Sequence, residues 1–218
     1  MARFLFIHQN FPGQFRHLAP ALVEAGHEVR ATTMRSGSPR TWRGVSIMPY
    51  RLQEKPLPQQ HAWLADLEAK LLRGLACLAA MREMRWDGFE PDVVVAHPGW
   101  GESLFVREVW PDAQLVMYGE FFYRDKGFDV GFDPEFSAPN ETQRGKLRMR
   151  NANHLLHLDA ADCVLCPTQW QASAFPAAYR DKIRVIHDGV DLQALRALPA
   201  QTLMLPGGIQ IAPGDEVV

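Results

Sequence analysis

The loop of residues 97–102 carries the most specific combination of reactive side chains in this sequence, and it follows a continuous apolar run. It reads His-Pro-Gly-Trp-Gly-Glu. The His97 imidazole can donate to sugar hydroxyls or stabilise charge, the two glycines permit close backbone approach, and Trp100 can stack on a sugar ring. We therefore predict that a sugar is bound by Gly99, Trp100, Gly101 and Glu102. The structural alternative is that Trp100 covers the core and His97 caps the loop.

A second candidate is the segment from Tyr118 to Tyr123, in which Glu120 comes almost directly after another apolar run. A carboxylate there can accept hydrogen bonds from acceptor hydroxyls, or act as a base if burial raises its pKa. The alternative is that Glu120 is the salt-bridge partner of a neighbouring arginine. His97 and Glu120 are the predicted catalytic residues, and Tyr118 joins the predicted sugar-binding set.

The first polar loop, at residues 9–14, contains one glycine in place of the three of a dinucleotide-binding fingerprint. At the start of a helix, backbone N–H groups beside Gly13 can still approach a phosphate. Gly13 and Gln14 are therefore predicted to face a phosphate group, although a plain tight turn accounts equally well for the glycine. The loop that begins at His187 is most simply a turn or a domain connection.

Two further clusters are less informative. Cys163 and Cys166 have C-x-x-C spacing, but on a strand residues three apart face opposite sides and cannot share a metal. The eight histidines show no metal-binding spacing either, so no metal is expected.

A basic cluster of four side chains can contact phosphate or an anionic headgroup, although such runs are usually a solvated face. Its members are Arg144, Lys146, Arg148 and Arg150.

Composition excludes several classes of protein. The formal net charge of −2 provides no overall positive field for binding nucleic acid. Three cysteines in 218 residues do not form a secretory disulfide framework, which favours a reducing, cytoplasmic location. No apolar run approaches the roughly 20 residues of a membrane span. These features do not exclude peripheral contact of the protein with a membrane surface.

Short apolar runs alternate with helical segments along the chain. This order predicts an α/β fold: a Rossmann-like open, mostly parallel sheet with helices on both faces, whose ligands bind at the carboxyl ends of the strands. The predicted strands are residues 4–8, 27–33, 45–50, 92–96, 114–118, 164–166 and 183–186, and the predicted helices are residues 14–25, 63–87, 102–109, 140–160 and 169–179. Residues 1–197 form the predicted domain. The Pro- and Gly-rich residues 198–218 are interpreted as an interdomain linker and the start of a second domain.

Several segments, taken in order, resemble the N-terminal domain of glycosyltransferase family 4 within the GT-B fold. The resemblance is particularly to its bacterial group with an H-P-G-W-G-E loop. It covers nearly the whole chain, and its matching segments are the opening strand with Gly13 and residues 97–102, 118–123, 129–135, 167–170 and 185–191.

The resemblance implies a retaining transferase of hexosyl type that takes a nucleotide sugar without a metal cofactor. It implies that Gly13 faces the donor diphosphate, that His97 lies near the transferred sugar, and that Glu120 and Trp100 line the acceptor side. The acceptor would be a carbohydrate or glycoconjugate. The basic residues and the E-x7-E carboxylates of such enzymes belong to a C-terminal domain, so we expect these 218 residues to be inactive alone. The alternative is a stand-alone carbohydrate- or nucleotide-binding module without catalysis.

Overall fold

The computed structural model describes residues 1–59, 61–128, 130–133, 135, 138–196 and 201–216. It divides into two compact units, Met1–His187 and Asp188–Val218. The predicted boundary between residues 197 and 198 lies outside the described residues, as do Asp129 and Pro134 of the segment 129–135.

The first unit is built on one mixed, mainly parallel sheet. In the described part of the chain its order is β3-β4-β2-β1-β5-β6-β7-β8, and every neighbouring pair is parallel except β3 with β4. The strands are β1 Arg3–Ile7, β2 Glu28–Thr33, β3 Thr41–Trp42, β4 Val45–Pro49, β5 Val93–Ala96, β6 Gln114–Tyr118, β7 Cys163–Cys166 and β8 Ile183–Val185. The predicted α/β fold with a mostly parallel sheet is confirmed.

Both faces of the sheet are covered, as alternation along β1 shows. Leu5 and Ile7 point to a core that also contains Met81 and Val106, whereas Phe6 points to a second core with Ala19. Helix α1 (Leu18–Glu24) therefore packs on one face, and α2 (Ala65–Trp86) and α3 (Val106–Val109) pack on the other. The remaining helices of this unit are α4 (Glu141–Ala160) and α5 (Gln169–Ala174).

Prolines correct two of the predicted helices. The helix predicted at residues 14–25 begins only at Leu18, because Pro20 lacks an N–H group and is tolerated only in a first turn; a separate 3-10 turn covers Gly13–Phe15. The helix predicted at residues 169–179 ends at Ala174, because Pro176 stops it, and a 3-10 turn follows at Ala177–Lys182.

Two further differences arise from packing and from turn geometry. The helix predicted at residues 102–109 is reduced to Val106–Val109, because residues 101–103 are buried and Gly101 lies against the backbone of Lys70 in α2. The short strand β3 was not predicted. It pairs with β4 through a turn in which Arg43 and Gly44 both have positive φ, and Arg-Gly is a weaker hairpin signal than Asn-Gly.

The second unit contains α6 (Leu192–Arg196) and an antiparallel pair, β9 (Leu203–Met204) and β10 (Gln210–Ile211). None of the helices in the described part of the chain combines the length and apolar character that a membrane crossing requires.

Candidate functional site

The candidate site lies where three neighbouring parallel strands end. Ile7 of β1 is in register with Ala96 of β5, so the residues that follow them, His8 and His97, stand side by side with ring centroids 5.4 Å apart. Glu120 follows β6, the next strand beyond β5. Parallel strands thus bring together three polar side chains that are far apart in sequence.

His97 is fixed by hydrogen bonds at both ring nitrogens. Its Nδ1 accepts from the backbone N–H of Gly99 at 3.1 Å, so in the neutral ring the proton lies on Nε2. Nε2 lies 3.0 Å from Oε2 of Glu120 and donates to it. A Cβ atom at Gly99 would lie 2.7 Å from Cε1 of His97, so the bond to the backbone needs a glycine. His97 has no ring nitrogen left for a sugar in this arrangement.

His8 repeats the same geometry one strand away. Its Nδ1 accepts from the N–H of Asn10 at 2.9 Å, and its Nε2 donates to Oε1 of Gln14 at 2.7 Å. The amide of Gln14 then donates to Oε2 of Glu120 at 3.4 Å. Burial and the neighbouring His97 lower the pKa of His8 to about 4, so its ring is neutral at physiological pH.

The hydrogen bonds from His97 and from Gln14 end on the same carboxylate oxygen of Glu120. Oε2 of Glu120 accepts from both His97 and Gln14, whereas Oε1 makes no hydrogen bond with the residues that the structure describes. The side chain is 41% exposed. Its pKa is lowered, first by the hydrogen bond from His97, and this outweighs burial. The condition for Glu120 to act as a base, a pKa raised by burial, is therefore not met; Glu120 is an ionised acceptor of hydrogen bonds.

Glu120 opens onto a cleft of about 320 Å³. Trp100 stacks on His97 with ring centroids 4.5 Å apart and 26° between the ring planes. A carboxylate beside aromatic surfaces is the usual combination in pockets of this size that bind a small polar molecule. The lining residues are His97, Pro98, Gly99, Trp100, Tyr118, Glu120, Phe121, Tyr123 and His154.

The family model for the glycosyl transferase family 4 group matches residues 25–195, which include His97 and Glu120. The chain belongs to this group. No curated protein matches it.

Solved structures with the same fold include two sugar-active enzymes. The sucrose-phosphate synthase of Thermosynechococcus elongatus is 16% identical, with a TM-score of 0.53 over 88% of this chain and 92% of that one. The catalytic domain of starch synthase IV from Arabidopsis thaliana, bound to ADP and acarbose, is 11% identical, with a TM-score of 0.57 over 89% of this chain. This chain spans 52% of that catalytic domain. Family and fold together support a GT-B glycosyltransferase N-terminal domain.

Two of the residues predicted to bind sugar, Gly101 and Glu102, are buried and do not line the cleft. Glu102 is fully buried, and its Oε1 accepts from the hydroxyl of Tyr50 at 2.7 Å. Burial raises the pKa of this carboxyl. Gly101 has φ +97° and is also buried, and a Cβ atom there would collide with the Lys70 backbone. Gly101 packs the loop against α2, and Glu102 fixes it to Tyr50. No sugar reaches Glu102 in this conformation.

Gly13 also has a structural reason to be glycine. Its φ is +45°, and a Cβ atom there would collide with the His8 ring. It is exposed on a three-residue 3-10 turn, so the helix end that could hold a phosphate is not formed at this position. Facing the donor phosphate stays a prediction for Gly13 and Gln14.

Sequence reasoning missed His8 and His154. His8 could have been found, because it is the last residue of the predicted strand 4–8 and therefore stands at the sheet edge where ligands were expected. His154 lies on α4, more than fifty positions from His97, and only packing of α4 beside the loop brings it to the cleft.

Proposed function

We propose that this chain is the acceptor-binding N-terminal domain of a retaining glycosyltransferase of hexosyl type, from the bacterial group with an H-P-G-W-G-E loop. The observation that carries the proposal is the carboxylate of Glu120, which lines the cleft and is held through Oε2, while Oε1 makes no hydrogen bond with the residues that the structure describes. An acceptor hydroxyl that donates to Oε1 would be oriented for transfer, and orientation contributes much of the rate in such reactions.

Six of the predicted residues have a role in this proposal. Glu120 binds the acceptor hydroxyl, while His97 and Gln14 position Glu120 through the hydrogen bonds described above. Trp100 and Tyr118 form walls of the cleft against which a sugar ring packs. Gly13 approaches the diphosphate of the nucleotide-sugar donor.

The proposal extends to the rest of the enzyme. A C-terminal domain of the same protein supplies the nucleotide site, since this chain spans about half of the starch synthase catalytic domain. The reaction uses no metal cofactor. The enzyme works in the cytoplasm.

The direct test of the carboxylate is Glu120→Gln, which keeps the shape of the side chain and removes its charge. A hydrogen bond to a charged group is worth about 1.5–3 kcal/mol, so saccharide affinity should fall about 10- to 100-fold. Binding is measured by saturation-transfer NMR with a panel of methyl glycosides. Glu24→Gln, at an exposed position on α1, is the matched control. Unchanged affinity in Glu120→Gln would refute the assignment.

Activity tests the wider proposal. The 218-residue chain should show no turnover of nucleotide sugars, and the two-domain protein should transfer the sugar with retention of anomeric configuration. Saccharide binding without transfer by any longer form would favour the stand-alone module instead. Efficient transfer by these residues alone would contradict the proposal.

A further inference from the structure

Helix α4 carries an unusually one-sided charge. Between Glu141 and Asp159 it contains four cationic side chains and no acidic one. Arg144 and Arg148 are four residues apart on one face, and Lys146 and Arg150 are four apart on another. Like charges at this spacing cost about 0.2–0.5 kcal/mol per pair, so the pattern opposes helix stability. An anionic partner would offset that cost.

Arg144 and Arg148 line a cleft of about 620 Å³ between α4 and residues 122–125, which is called the basic cleft below. Arg124 contributes a third guanidinium, and Asp125 is the one acidic residue among the described residues of the lining. Within the described part of the chain, none of the three arginines forms a salt bridge. The cleft therefore has a net positive charge of its own. The positive end of the α4 dipole adds to it.

Hydrogen bonds to the backbone of the lining segments hold this cleft in shape. The side chain of Asn151 accepts from the N–H of Tyr123 at 3.0 Å and donates to the carbonyl of Tyr123 at 2.8 Å, which fixes the segment that carries Arg124. Arg144 is also restrained, because its Nη1 donates to the carbonyl of Pro139 at 2.7 Å. Cationic groups restrained in this way lose less entropy when they bind an anion.

Tyr123 lines both this basic cleft, which contains Arg124, Arg144 and Arg148, and the sugar cleft, which contains Trp100 and Glu120. The two clefts are therefore neighbours, and a molecule that places a hydroxyl at Glu120 can extend past Tyr123 toward Arg144 and Arg148. The lining of the basic cleft also includes the apolar residues Leu147, Leu155 and Pro176.

We propose that the basic cleft binds a phosphate or carboxylate group of the acceptor, so that the acceptor is an anionic saccharide or glycoconjugate. This inference rests on the proposed function, in which the neighbouring cleft holds the acceptor hydroxyl. Guanidinium groups suit the task because their planar fork donates two parallel hydrogen bonds to phosphate or carboxylate oxygens.

The test compares the full chain with two double variants by titration calorimetry, using inorganic pyrophosphate as the probe. Arg144→Gln/Arg148→Gln removes two charges from the cleft. Lys146→Gln/Arg180→Gln removes two exposed charges outside it and is the matched control. Each lost charge-assisted bond should weaken binding about tenfold, so we expect about a hundredfold loss in the first variant and little change in the control.

A parallel arm uses vesicles of phosphatidylcholine with and without phosphatidylglycerol, which separates a lipid headgroup from a soluble phosphate as the source of the anion. Loss of binding to either probe in Arg144→Gln/Arg148→Gln, with binding kept in the control, supports the proposal. Equal losses in both variants, or no binding of pyrophosphate or anionic vesicles by the wild type, overturn it. Circular dichroism checks that the variants are folded.

Failure of this inference can be told apart from failure of the proposed function. If the wild type binds methyl glycosides but neither anionic probe, the anion site is refuted and the sugar site stands. If it binds pyrophosphate through Arg144 and Arg148 but no saccharide, the anion site stands and the acceptor assignment falls.

Discussion

Acid should destabilise this protein through three buried histidines. Burial is the main cause that lowers the pKa of each, to about 4 for His8, about 3 for His154 and about 4 for His157. All three rings are neutral in the folded state. Unfolding returns each ring to the ordinary pKa of 6.5. Below that pH the unfolded chain binds more protons, so the free energy of unfolding falls as the pH falls.

The magnitude follows from linkage. Between the folded and unfolded pKa values each histidine contributes a slope of about 1.4 kcal/mol per pH unit, so the three together give about 4 kcal/mol per pH unit. Glu102 works in the opposite sense, because its raised pKa means that the folded chain takes up a proton first. Three imidazoles against one carboxyl leave a net fall in the free energy of unfolding as the pH falls. Between about pH 6.5 and 4.5 the three histidines lower the free energy of unfolding by up to about 8 kcal/mol, so a domain at the lower end of the usual range of about 5–15 kcal/mol should lose its fold near about pH 4–5.

The assay is urea unfolding at a series of pH values, followed by the fluorescence of the six tryptophans. His157→Asn removes one titrating ring and keeps a donor for the carbonyl of Asn153, which lies 2.8 Å from Nδ1. It should reduce the slope by about 1.4 kcal/mol per pH unit. His17→Gln changes an exposed histidine and should leave the slope as it is. A free energy of unfolding that stays constant from about pH 7 to 5, or an unchanged slope in His157→Asn, would refute this reasoning.

Two predictions concern the supports of the site. Gly101→Ala should lower the free energy of unfolding by about 1–3 kcal/mol, because the alanine must adopt a positive φ and its Cβ atom would collide with the Lys70 backbone. An unchanged urea midpoint would contradict the packing described. Tyr50→Phe removes the hydroxyl that donates to Glu102, whose Oε2 has no partner among the described residues, and should cost about 1–3 kcal/mol. The double variant Tyr50→Phe/Glu102→Leu should recover part of that loss, and a further loss would argue against the pairing.

Local patterns predicted most of the fold. Short runs of apolar or β-branched residues predicted each parallel strand of the sheet in the described part of the chain. Helix ends were less well predicted where a proline stood inside a periodic segment, as at Pro20 and Pro176. Periodicity describes which face is apolar, whereas the missing N–H group of proline decides where the helix can run.

The candidate site was predicted in part. His97 and Glu120 were singled out because polar residues after buried strands collect at one edge of a parallel sheet. The hydrogen bond between His97 and Glu120 and the matching position of His8 depend on strand register and could not be read from spacing.

The sequence by itself determined the alternation of strands and helices, the edge of the sheet at which chemistry would occur and the family resemblance, because these depend on local pattern and chain order. Only the tertiary structure decided which members of the His97 loop line the cleft. Trp100 lines it and Glu102 is fully buried, although they are two residues apart. Packing of the loop on α2 and the hydrogen bond to Tyr50 separate them, and both are long-range contacts that no local pattern encodes.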